Sequence, residues 1–322
     1  MPEPPLVTAI ATCFNHERFV VECLESIRAQ TYPRVQLVVC DDASSDSSVE
    51  AIRGWLERTG IECTLLLHEE NLGICRSRNE ALAHARGRYV STISTDDVWL
   101  PDKLARQIAL MERLPQSVGV VYSDAERMDE KGRPLPRTFI ECFRDLEPMP
   151  EGNVYEALLE GNFIPGMTTL VRRQCFEDVG FYDESLAYED WDMWLRLARR
   201  YQFAYSPFVS ARYRVVGGSM SEALGDRLWE SALRIQAKHL GHTREWDAVL
   251  TRRMARIAYK LDHPQRREYL RAAVRSGGRR GTLVLASLQA LGIPYRVFVP
   301  IRRLLGRLRL PGGLRVPAIR SR

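Results

Sequence analysis

The sequence predicts an α/β fold, with a mostly parallel sheet flanked by helices, followed by a helical and basic C-terminal extension. Short apolar runs alternate with segments of helical periodicity in the first part of the chain, which is the pattern of strand–helix–strand units. The charge distribution is the second observation. From Arg266 to the C-terminus there are 14 Arg and one acid, Glu268, whereas the whole chain of 322 residues has a net charge of only +5. The preceding part is therefore acidic, and the two regions differ in chemical character.

The elements of the first part follow each other in regular order. Each predicted strand is a short apolar run, and each predicted helix repeats apolar residues three or four positions apart. Right-handed crossovers of this kind place the strands parallel in one sheet. We predict strands at residues 6–12, 35–40, 61–67 and 88–94, a helix between Asn15 and Tyr32, a helix from Asp46 through Trp55, and a helix at residues 74–85.

Two of these strands end in a pair of acids, Asp41-Asp42 and Asp96-Asp97. Open α/β sheets bind ligands at the carboxyl ends of their strands, so Thr12, Asp42 and the Asp96-Asp97 pair are expected to converge there. Carboxylates suit hard divalent cations, and Asp42 can also accept a hydrogen bond from a nucleobase. The alternative is that each pair only ends a strand and favours the positive N-terminus of the next helix.

The composition and missing motifs exclude several function classes. Neither a Gly-x-Gly-x-x-Gly fingerprint nor a Walker-type loop is present, which argues against dinucleotide oxidoreductases and P-loop phosphotransferases. The seven cysteines lack Cys-x-x-Cys and metal-ligand spacing, so we expect small buried apolar residues in a reducing compartment. The N-terminus lacks the basic and apolar regions of a secretion signal, so we expect a cytoplasmic protein.

A second candidate site lies at the start of a predicted helix in the second half of the chain. Apolar residues at helical spacing should face the core: Trp191, Trp194, Leu195 and Ala198. This leaves Glu189 and Asp190 in the first turn, where a fixed carboxylate can act as a base or simply stabilise the helix N-terminus. Asp192 and Arg196 are four residues apart and are expected to form a local ion pair.

Several motifs, in this order, resemble the family 2 glycosyltransferases of bacterial type, which have the GT-A fold. The resemblance covers residues 5–220, and its motifs are Asp41-Asp42-Ala43-Ser44, Asn71-Leu72-Gly73, Arg78-Asn79, Gly87-Arg88-Tyr89, Thr95-Asp96-Asp97 and Glu189-Asp190. It implies an inverting, metal-dependent transfer of a sugar from a nucleotide-sugar donor to a hydroxyl group of a surface-glycan or lipid-linked acceptor. UDP is the commonest donor nucleotide in this family.

The resemblance also implies a role for each matching residue. Asp190 corresponds to the catalytic base, and Asp97 and Asp96 correspond to ligands of Mg²⁺ or Mn²⁺. The expected donor-binding residues are Thr12, Asn15, Asp42, Arg78 and Asp96. The expected acceptor-side residues are Glu189, Gly166 and Met167. The domain is expected at residues 1–220, with a nucleotide-sugar half at about 1–125 and an acceptor half at about 126–220, and the helical basic region at 221–322.

The sequence departs from the family pattern at two positions. Ser94 stands where members usually have a further acid, and Val216 stands where a metal-contacting His often follows a Tyr-Arg pair. These departures leave Asp96 and Asp97 as the obvious metal ligands. They also support an alternative, a catalytically silent module that binds a sugar nucleotide or a membrane. The Gln-x-x-Arg-Trp motif of processive synthases is absent, which favours addition of a single sugar.

The basic C-terminal region is expected to meet an anionic membrane surface. Residues 281–301 are largely apolar, but Pro294 and Arg296 interrupt them, so a surface-lying amphipathic segment is favoured over a spanning helix. A solvated or self-packing basic helix is the alternative. Clustered Arg also binds nucleic acid, but the acidic body and the lack of an aromatic-studded face argue for lipid, and no nucleic acid is expected. We therefore expect a cytoplasmic protein that is peripheral on the inner face of the plasma membrane.

Overall fold

The computed structural model describes residues 3–143, 147–217, 224–277 and 280–295. The chain divides into two compact units, Met1–Leu228 and Trp229–Arg322. The first unit is α/β, and the second is helical over its described residues. The predicted fold class is confirmed. The Arg-rich segment from residue 296 lies outside the described residues.

The bounds of the elements are as follows. The strands are β1 (Val7–Cys13), β2 (Val35–Asp41), β3 (Cys63–Leu67), β4 (Tyr89–Ser94), β5 (Val98–Trp99), β6 (Val118–Met128), β7 (Leu170–Arg172) and β8 (Gln202–Arg214). The helices of the first unit are α1 (Val20–Arg28), α2 (Ser48–Thr59), α3 (Ile74–Ala83), α4 (Lys103–Met111), α5 (Phe139–Phe143), α6 (Tyr155–Glu160), α7 (Arg173–Val179) and α8 (Asp190–Ala198). Helix α9 (Asp226–Lys238) begins at the boundary of the units, and α10 (Arg244–Lys260), α11 (Arg266–Arg275) and α12 (Arg280–Ala290) follow.

One sheet of eight strands organises the first unit, in the order β3-β2-β1-β4-β7-β6-β8-β5. The first four strands in this order are parallel, as predicted, and each lies within about two residues of its predicted bounds. Strand β7 runs antiparallel between β4 and β6, and the edge strand β5 is antiparallel to β8. The sequence did not predict this mixed half of the sheet, because its pairings join residues that are far apart in the chain.

The strands are apolar because both faces of the sheet are covered by helices. Every residue of β1 is buried, and β1 shares a core with α1, α2 and α4. Five of the seven cysteines are buried, as expected for small apolar residues. Cys63 is partly buried and Cys142 is exposed, so the expectation fails for Cys142.

The helices of the second unit enclose two small cores. Leu233, Met254 and Ile257 lie in one, and Tyr259, Leu270 and Leu285 lie in the other. The helical character predicted for the C-terminal extension is therefore confirmed over its described residues. In the part of the chain that the structure describes, no helix combines the length and apolar character needed to cross a membrane.

Candidate active site

The carboxyl ends of β1, β2 and β4 form one rim, as the parallel arrangement predicts. The Asp42 backbone N–H donates to the Cys13 carbonyl at 2.9 Å, and the Thr95 N–H donates to the Thr12 carbonyl at 3.0 Å. These two hydrogen bonds bring the segments that follow the three strands side by side. The sheet therefore places Asp42, Thr12 and the Asp96-Asp97 turn at the same edge.

Asp42 is buried, and its carboxylate is already occupied by neighbouring donors. Its oxygens accept hydrogen bonds from the backbone N–H groups of Leu72 at 2.8 Å and Gly73 at 2.9 Å. The His68 Nδ1 atom also lies 2.9 Å from Oδ1. The sequence suggested a direct contact between Asp42 and a nucleobase. In this structure Asp42 fixes the loop that leads into α3, and its contact with a nucleobase stays a prediction.

Thr12 and Asn15, the expected donor-binding residues at the end of β1, differ in their exposure to solvent. The Thr12 hydroxyl is buried and donates to the Ile93 carbonyl at 3.5 Å, so it points into the sheet. Asn15 is exposed, and its side-chain oxygen accepts from the Ser45 N–H at 2.8 Å. Asn15 adopts a left-handed backbone conformation with a φ of 57°, which Asn tolerates better than most residues. The hydrogen bond ties the loop after β1 to the loop after β2.

Asp96 and Asp97 occupy different environments, although they are adjacent. Asp97 is only 3% exposed, and its Oδ1 accepts from the Arg214 backbone N–H at 2.9 Å. The Arg214 side chain donates from Nε to the Asp96 carbonyl at 2.8 Å and from a terminal nitrogen to Glu22 at 2.6 Å. The Asp96 side chain is 20% exposed. An acid at the end of a strand suggests an exposed carboxylate at the rim, but Asp97 is buried because β8 places Arg214 against it.

Two residues near this turn were not identified from the sequence. His16 Nε2 lies 3.8 Å from the Asp96 carboxylate, and His16 Nδ1 lies 2.9 Å from the Thr95 hydroxyl. Phe14, which follows β1, keeps 44% of its surface exposed. A large apolar ring left in water beside a polar rim is the signal that marks Phe14, and it is visible only once the fold is known.

Asp96 and Asp97 fit a divalent cation that a substrate helps to bind, rather than a complete metal cage. Within the described ranges, no cluster of three or more His, Cys, Asp or Glu residues is arranged to hold a metal ion. Mg²⁺ is commonly bound by one or two carboxylates together with substrate phosphates and water, and such a site does not need a third protein ligand. The hard oxygen atoms of Asp96 and Asp97 suit that mode.

At the start of α8, Glu189 forms a buried ion pair with Arg78. The Arg78 terminal nitrogen donates to Glu189 Oε1 at 2.5 Å, and both side chains are less than one tenth exposed. The sequence predicts a donor-binding role for Arg78, which stays a prediction, and the structure adds its pairing with Glu189. The Arg78 Nε atom has no hydrogen-bond partner among the described residues. The expected local pair of Asp192 and Arg196 is confirmed, with Arg196 Nε donating to Asp192 at 2.8 Å.

Asp190 is held by donors on both sides. Its Oδ2 accepts from the Asn162 side-chain amide at 2.8 Å, and its Oδ1 accepts from the Trp191 N–H at 2.6 Å. A Cβ atom placed on Gly166 would lie 3.9 Å from the Asp190 Cβ, so the absence of a side chain at Gly166 leaves room beside the carboxylate. Met167, the other expected acceptor-side residue, is buried, and its carbonyl accepts from Trp99 Nε1 at 2.9 Å.

The environment of Asp190 favours a carboxyl group that changes its protonation state near neutral pH. Burial, followed by the negative charge of Glu189, raises the pKa of Asp190 from 3.8 to about 7. Hydrogen bonds from Trp191 and Asn162 and the positive charge of Arg78 act in the opposite direction. A base poised near the working pH both accepts and releases a proton readily, so this carboxyl is suited to general base chemistry.

Tyr213, near the end of β8, connects the two candidate sites. Burial raises the pKa of the Tyr213 hydroxyl, and the charges of Asp97, Asp96 and Asp190 raise it further. Tyr213 therefore lies within electrostatic range of all three carboxylates, which the chain separates by more than ninety residues. The candidate base and the Asp96-Asp97 pair lie in one neighbourhood, as one transfer site requires.

A family model matches this chain over residues 8–180, which is more than half of its length, and its description is glycosyl transferase family 2. The chain belongs to glycosyl transferase family 2. The resemblance inferred from the ordered motifs is thereby confirmed.

Two bacterial relatives are similar over most of their length. TuaG of Bacillus subtilis, named as a teichuronic acid biosynthesis glycosyltransferase, is 28% identical over 218 residues, which cover 67% of this chain and 82% of TuaG. WfgD of Escherichia coli, a UDP-Glc:alpha-D-GlcNAc-diphosphoundecaprenol beta-1,3-glucosyltransferase, is 26% identical over 263 residues, which cover 80% of this chain and 92% of WfgD. The chain spans only 35% and 59% of the glycosyltransferases of Rickettsia felis and Rickettsia prowazekii, to which it is 28% identical.

Solved structures share the fold at lower identity. Staphylococcus aureus TarS 1–349 in complex with UDP matches with a TM-score of 0.61 and 16% identity, covering 97% of this chain and 94% of that chain. The mannosyltransferase PcManGT from Pyrobaculum calidifontis, in complex with GDP-Man and Mn²⁺, matches with a TM-score of 0.59 and 22% identity, covering 95% of this chain and 89% of that chain. The first unit therefore has the GT-A fold.

Proposed function

We propose that this family 2 glycosyltransferase transfers a sugar from a UDP-sugar to a hydroxyl group of a surface-glycan or lipid-linked acceptor, with inversion at the anomeric carbon. The observation that carries the proposal is the partly buried Asp190 carboxyl, whose charge acts on Tyr213 together with the charges of Asp96 and Asp97. The name of WfgD supports a UDP-sugar donor and an acceptor linked to diphosphoundecaprenol, and the name of TuaG supports a role in teichuronic acid biosynthesis.

In the proposed reaction, Asp190 is the general base. It accepts the proton of the acceptor hydroxyl while the hydroxyl oxygen bonds to the anomeric carbon. The bond from that carbon to the diphosphate oxygen breaks on the opposite face, and its electron pair leaves with the nucleoside diphosphate. Asn162 holds the carboxylate, and the open space at Gly166 admits the acceptor beside it.

Glu189 and Arg78 position this base rather than react. Their buried ion pair anchors the first residue before α8, so the following carboxyl of Asp190 keeps a fixed place. The negative charge of Glu189 raises the pKa of Asp190, which makes Asp190 a stronger base than an ordinary aspartate. Among the expected acceptor-side residues, Glu189 therefore acts through its charge, which raises the pKa of Asp190.

On the donor side, the exposed ring of Phe14 offers a surface against which a nucleobase can stack, and stacking of this type contributes about 1–3 kcal/mol. Asn15 and Asp42 shape the loops on either side. Asp96 and Asp97 would hold Mg²⁺ or Mn²⁺, which neutralises charge on a departing diphosphate when it is bound. His16 is close enough to Asp96 to orient its carboxylate.

A panel of nucleotide sugars tests this function. Release of free nucleotide should be seen with one donor or a narrow group of donors, and it should be lost when a chelator replaces Mn²⁺. Binding of a donor without any release, across the whole panel and with both cations, would instead support the catalytically silent binding module.

The pKa of Asp190 predicts the pH dependence of transfer. Only the carboxylate accepts a proton, so the rate constant of single-turnover transfer should fall about tenfold per pH unit below pH 7 and level off above it. A profile measured from about pH 5 to 9 checks this expectation. A rate constant that is unchanged down to pH 5 would contradict a base with this pKa.

Removal of the Asn162 amide should shift the same profile to higher pH. The amide oxygen of Asn162 accepts from the Ile164 N–H at 3.2 Å, which directs its NH₂ group to Asp190. Because this donor favours the carboxylate form, Asn162→Ala should move the midpoint of the acid limb up by about one pH unit. Asn153→Ala is the control, since Asn153 accepts from the Tyr155 N–H at the start of α6 rather than from a group at Asp190. An unmoved midpoint in Asn162→Ala would contradict the role of Asn162.

We also propose that the protein acts at the inner face of the plasma membrane as a peripheral protein. The support is the excess of Arg from Arg266 onward, because each basic residue near an anionic surface contributes about 1 kcal/mol. An acceptor linked to a membrane lipid, as in the name of WfgD, would be found there.

A further inference from the structure

Helix α12 in the second unit, together with Leu291 directly after it, carries an exposed face without any charge. Leu283, Val284 and Leu291 are 47%, 46% and 73% exposed, respectively. Ser287 and Ala290 lie between them at helical spacing and are exposed as well. Residues 281–295 contain no charged side chain, so no lysine or glutamate interrupts this face.

The opposite face of α12 is already used for packing. Leu285 is buried in a core with Tyr259 and Leu270. Gln289 accepts a hydrogen bond from Arg266 Nε at 2.8 Å, which ties α12 to α11. The exposed face is therefore not needed to hold the unit together. An uncharged surface that leaves three large aliphatic side chains in water is typical of an interaction surface.

The helix that packs against α12 carries an excess of positive charge. On the preceding helix, α11, the exposed residues Arg267, Arg271 and Arg275 are four positions apart and form one stripe, with Glu268 as the single acid of the helix. The sequence after residue 295 adds further Arg and no acid. Arginine beside an exposed aliphatic face is the composition of a segment that lies in a membrane interface.

The aliphatic face and the arginines together favour one kind of binding partner. A second copy of the chain would bring the same arginines together and repel. A nucleic acid would use the arginines but not the aliphatic side chains, and the exposed large apolar residues described in this unit are all aliphatic. Anionic lipid satisfies both features, because headgroups pair with Arg and the acyl boundary takes Leu and Val.

We propose that the face formed by Leu283, Val284, Ser287, Ala290 and Leu291 inserts into the interface of an anionic membrane. The inference rests on the proposed peripheral membrane association, but it assigns part of the binding to aliphatic residues of α12 rather than to the arginines alone. Removing the chain after Gln265 would not test it, because Tyr259 would then lose Leu270 and Leu285 from its core. Point substitutions in the full chain are needed.

The test is co-sedimentation of the full chain with vesicles of phosphatidylglycerol and phosphatidylcholine, with pure phosphatidylcholine vesicles beside them. The parent should bind the anionic vesicles, and binding should weaken as salt is added. The double variant Leu283→Gln with Leu291→Gln keeps every arginine and should bind at least about tenfold more weakly. Leu291→Glu should bind more weakly still.

Leu240→Glu is the matched control, since Leu240 is 39% exposed in the same unit but follows α9. It adds the same charge as Leu291→Glu and should bind like the parent. Undiminished binding of the Gln variant would overturn the inference while leaving an arginine-driven association in place. If the parent chain does not bind the anionic vesicles, both the inserted aliphatic face and the arginine-driven association are wrong. If the Gln substitutions instead dissociate a dimer detected by light scattering, the face belongs to a second copy and the inference is wrong.

Discussion

Replacement of Asp190 by Asn is expected to slow sugar transfer by about 10²–10⁴-fold, with little change in donor affinity. Asn keeps the size and shape of the side chain, but an amide cannot take the proton of the acceptor hydroxyl. Because the base acts on the acceptor, the donor should bind as before, and this separates a base from a donor ligand. Single-turnover transfer, measured beside calorimetric titration of the donor, checks both expectations.

The same variant carries its own folding control. Burial raises the pKa of Asp190 in the folded chain, so the stability that its neutral form contributes is present below about pH 4 and is lost as the pH rises through 7. The amide of the Asp190→Asn variant would never ionise, so this variant should be more stable than the parent above pH 7, by at most about 4 kcal/mol.

Glu184→Gln is the control for transfer: Glu184 is an exposed acid that accepts a hydrogen bond from Asn79, and its replacement should leave transfer unchanged. Transfer by Asp190→Asn within a few fold of the parent would exclude Asp190 as the base.

Replacement of Asp97 by Asn is expected to weaken the metal-dependent part of donor binding by about 10²-fold. The change removes a negative charge from the position proposed to hold Mn²⁺, whereas the amide oxygen can still accept the Arg214 N–H bond. Calorimetric titration of the nucleotide sugar, with Mn²⁺ and with a chelator, measures the difference.

Asn is a better substitution here than Ala because Asp97 is buried against β8. An Ala would leave the Arg214 N–H without its acceptor, which costs about 1–3 kcal/mol of stability and confuses a binding defect with a folding defect. Asp102→Asn is the control, since Asp102 is an exposed acid on the same segment that accepts from the Thr31 hydroxyl. If Asp97→Asn keeps the full gain in affinity from Mn²⁺, Asp97 is not a metal ligand.

The parallel half of the sheet was predictable because its information is local. Runs such as Leu37–Cys40 within β2 are continuously apolar, and the strand is followed by a helix with its own periodicity. Strands β6, β7 and β8 were not predicted. Their order depends on pairings such as Val120 with Val171, and no local pattern encodes an antiparallel strand inserted at that place.

The candidate site was predictable in its residue types but less so in its contacts. The motifs indicated Asp96, Asp97 and Asp190 because they stand at strand and helix ends. The sequence did not indicate that Arg214 buries Asp97 from 117 residues away, or that Arg78 pairs with Glu189 from 111 residues away. Asn162 lies in the segment expected on the acceptor side but was not singled out, since an Asn in a loop becomes informative only when its amide is seen to reach Asp190.

The first-formed anomer of the sugar released from an α-linked UDP-sugar tests the central claim most directly. In the absence of an acceptor, water takes the place of the hydroxyl, so the measurement needs no knowledge of the natural acceptor. If Asp190 acts as a base in a single displacement, proton NMR should show the β-anomer of the free sugar first, with the α-anomer appearing only by mutarotation. If the α-anomer appears first, the transfer does not proceed by a single inverting displacement, and the assignment of Asp190 as its base is wrong.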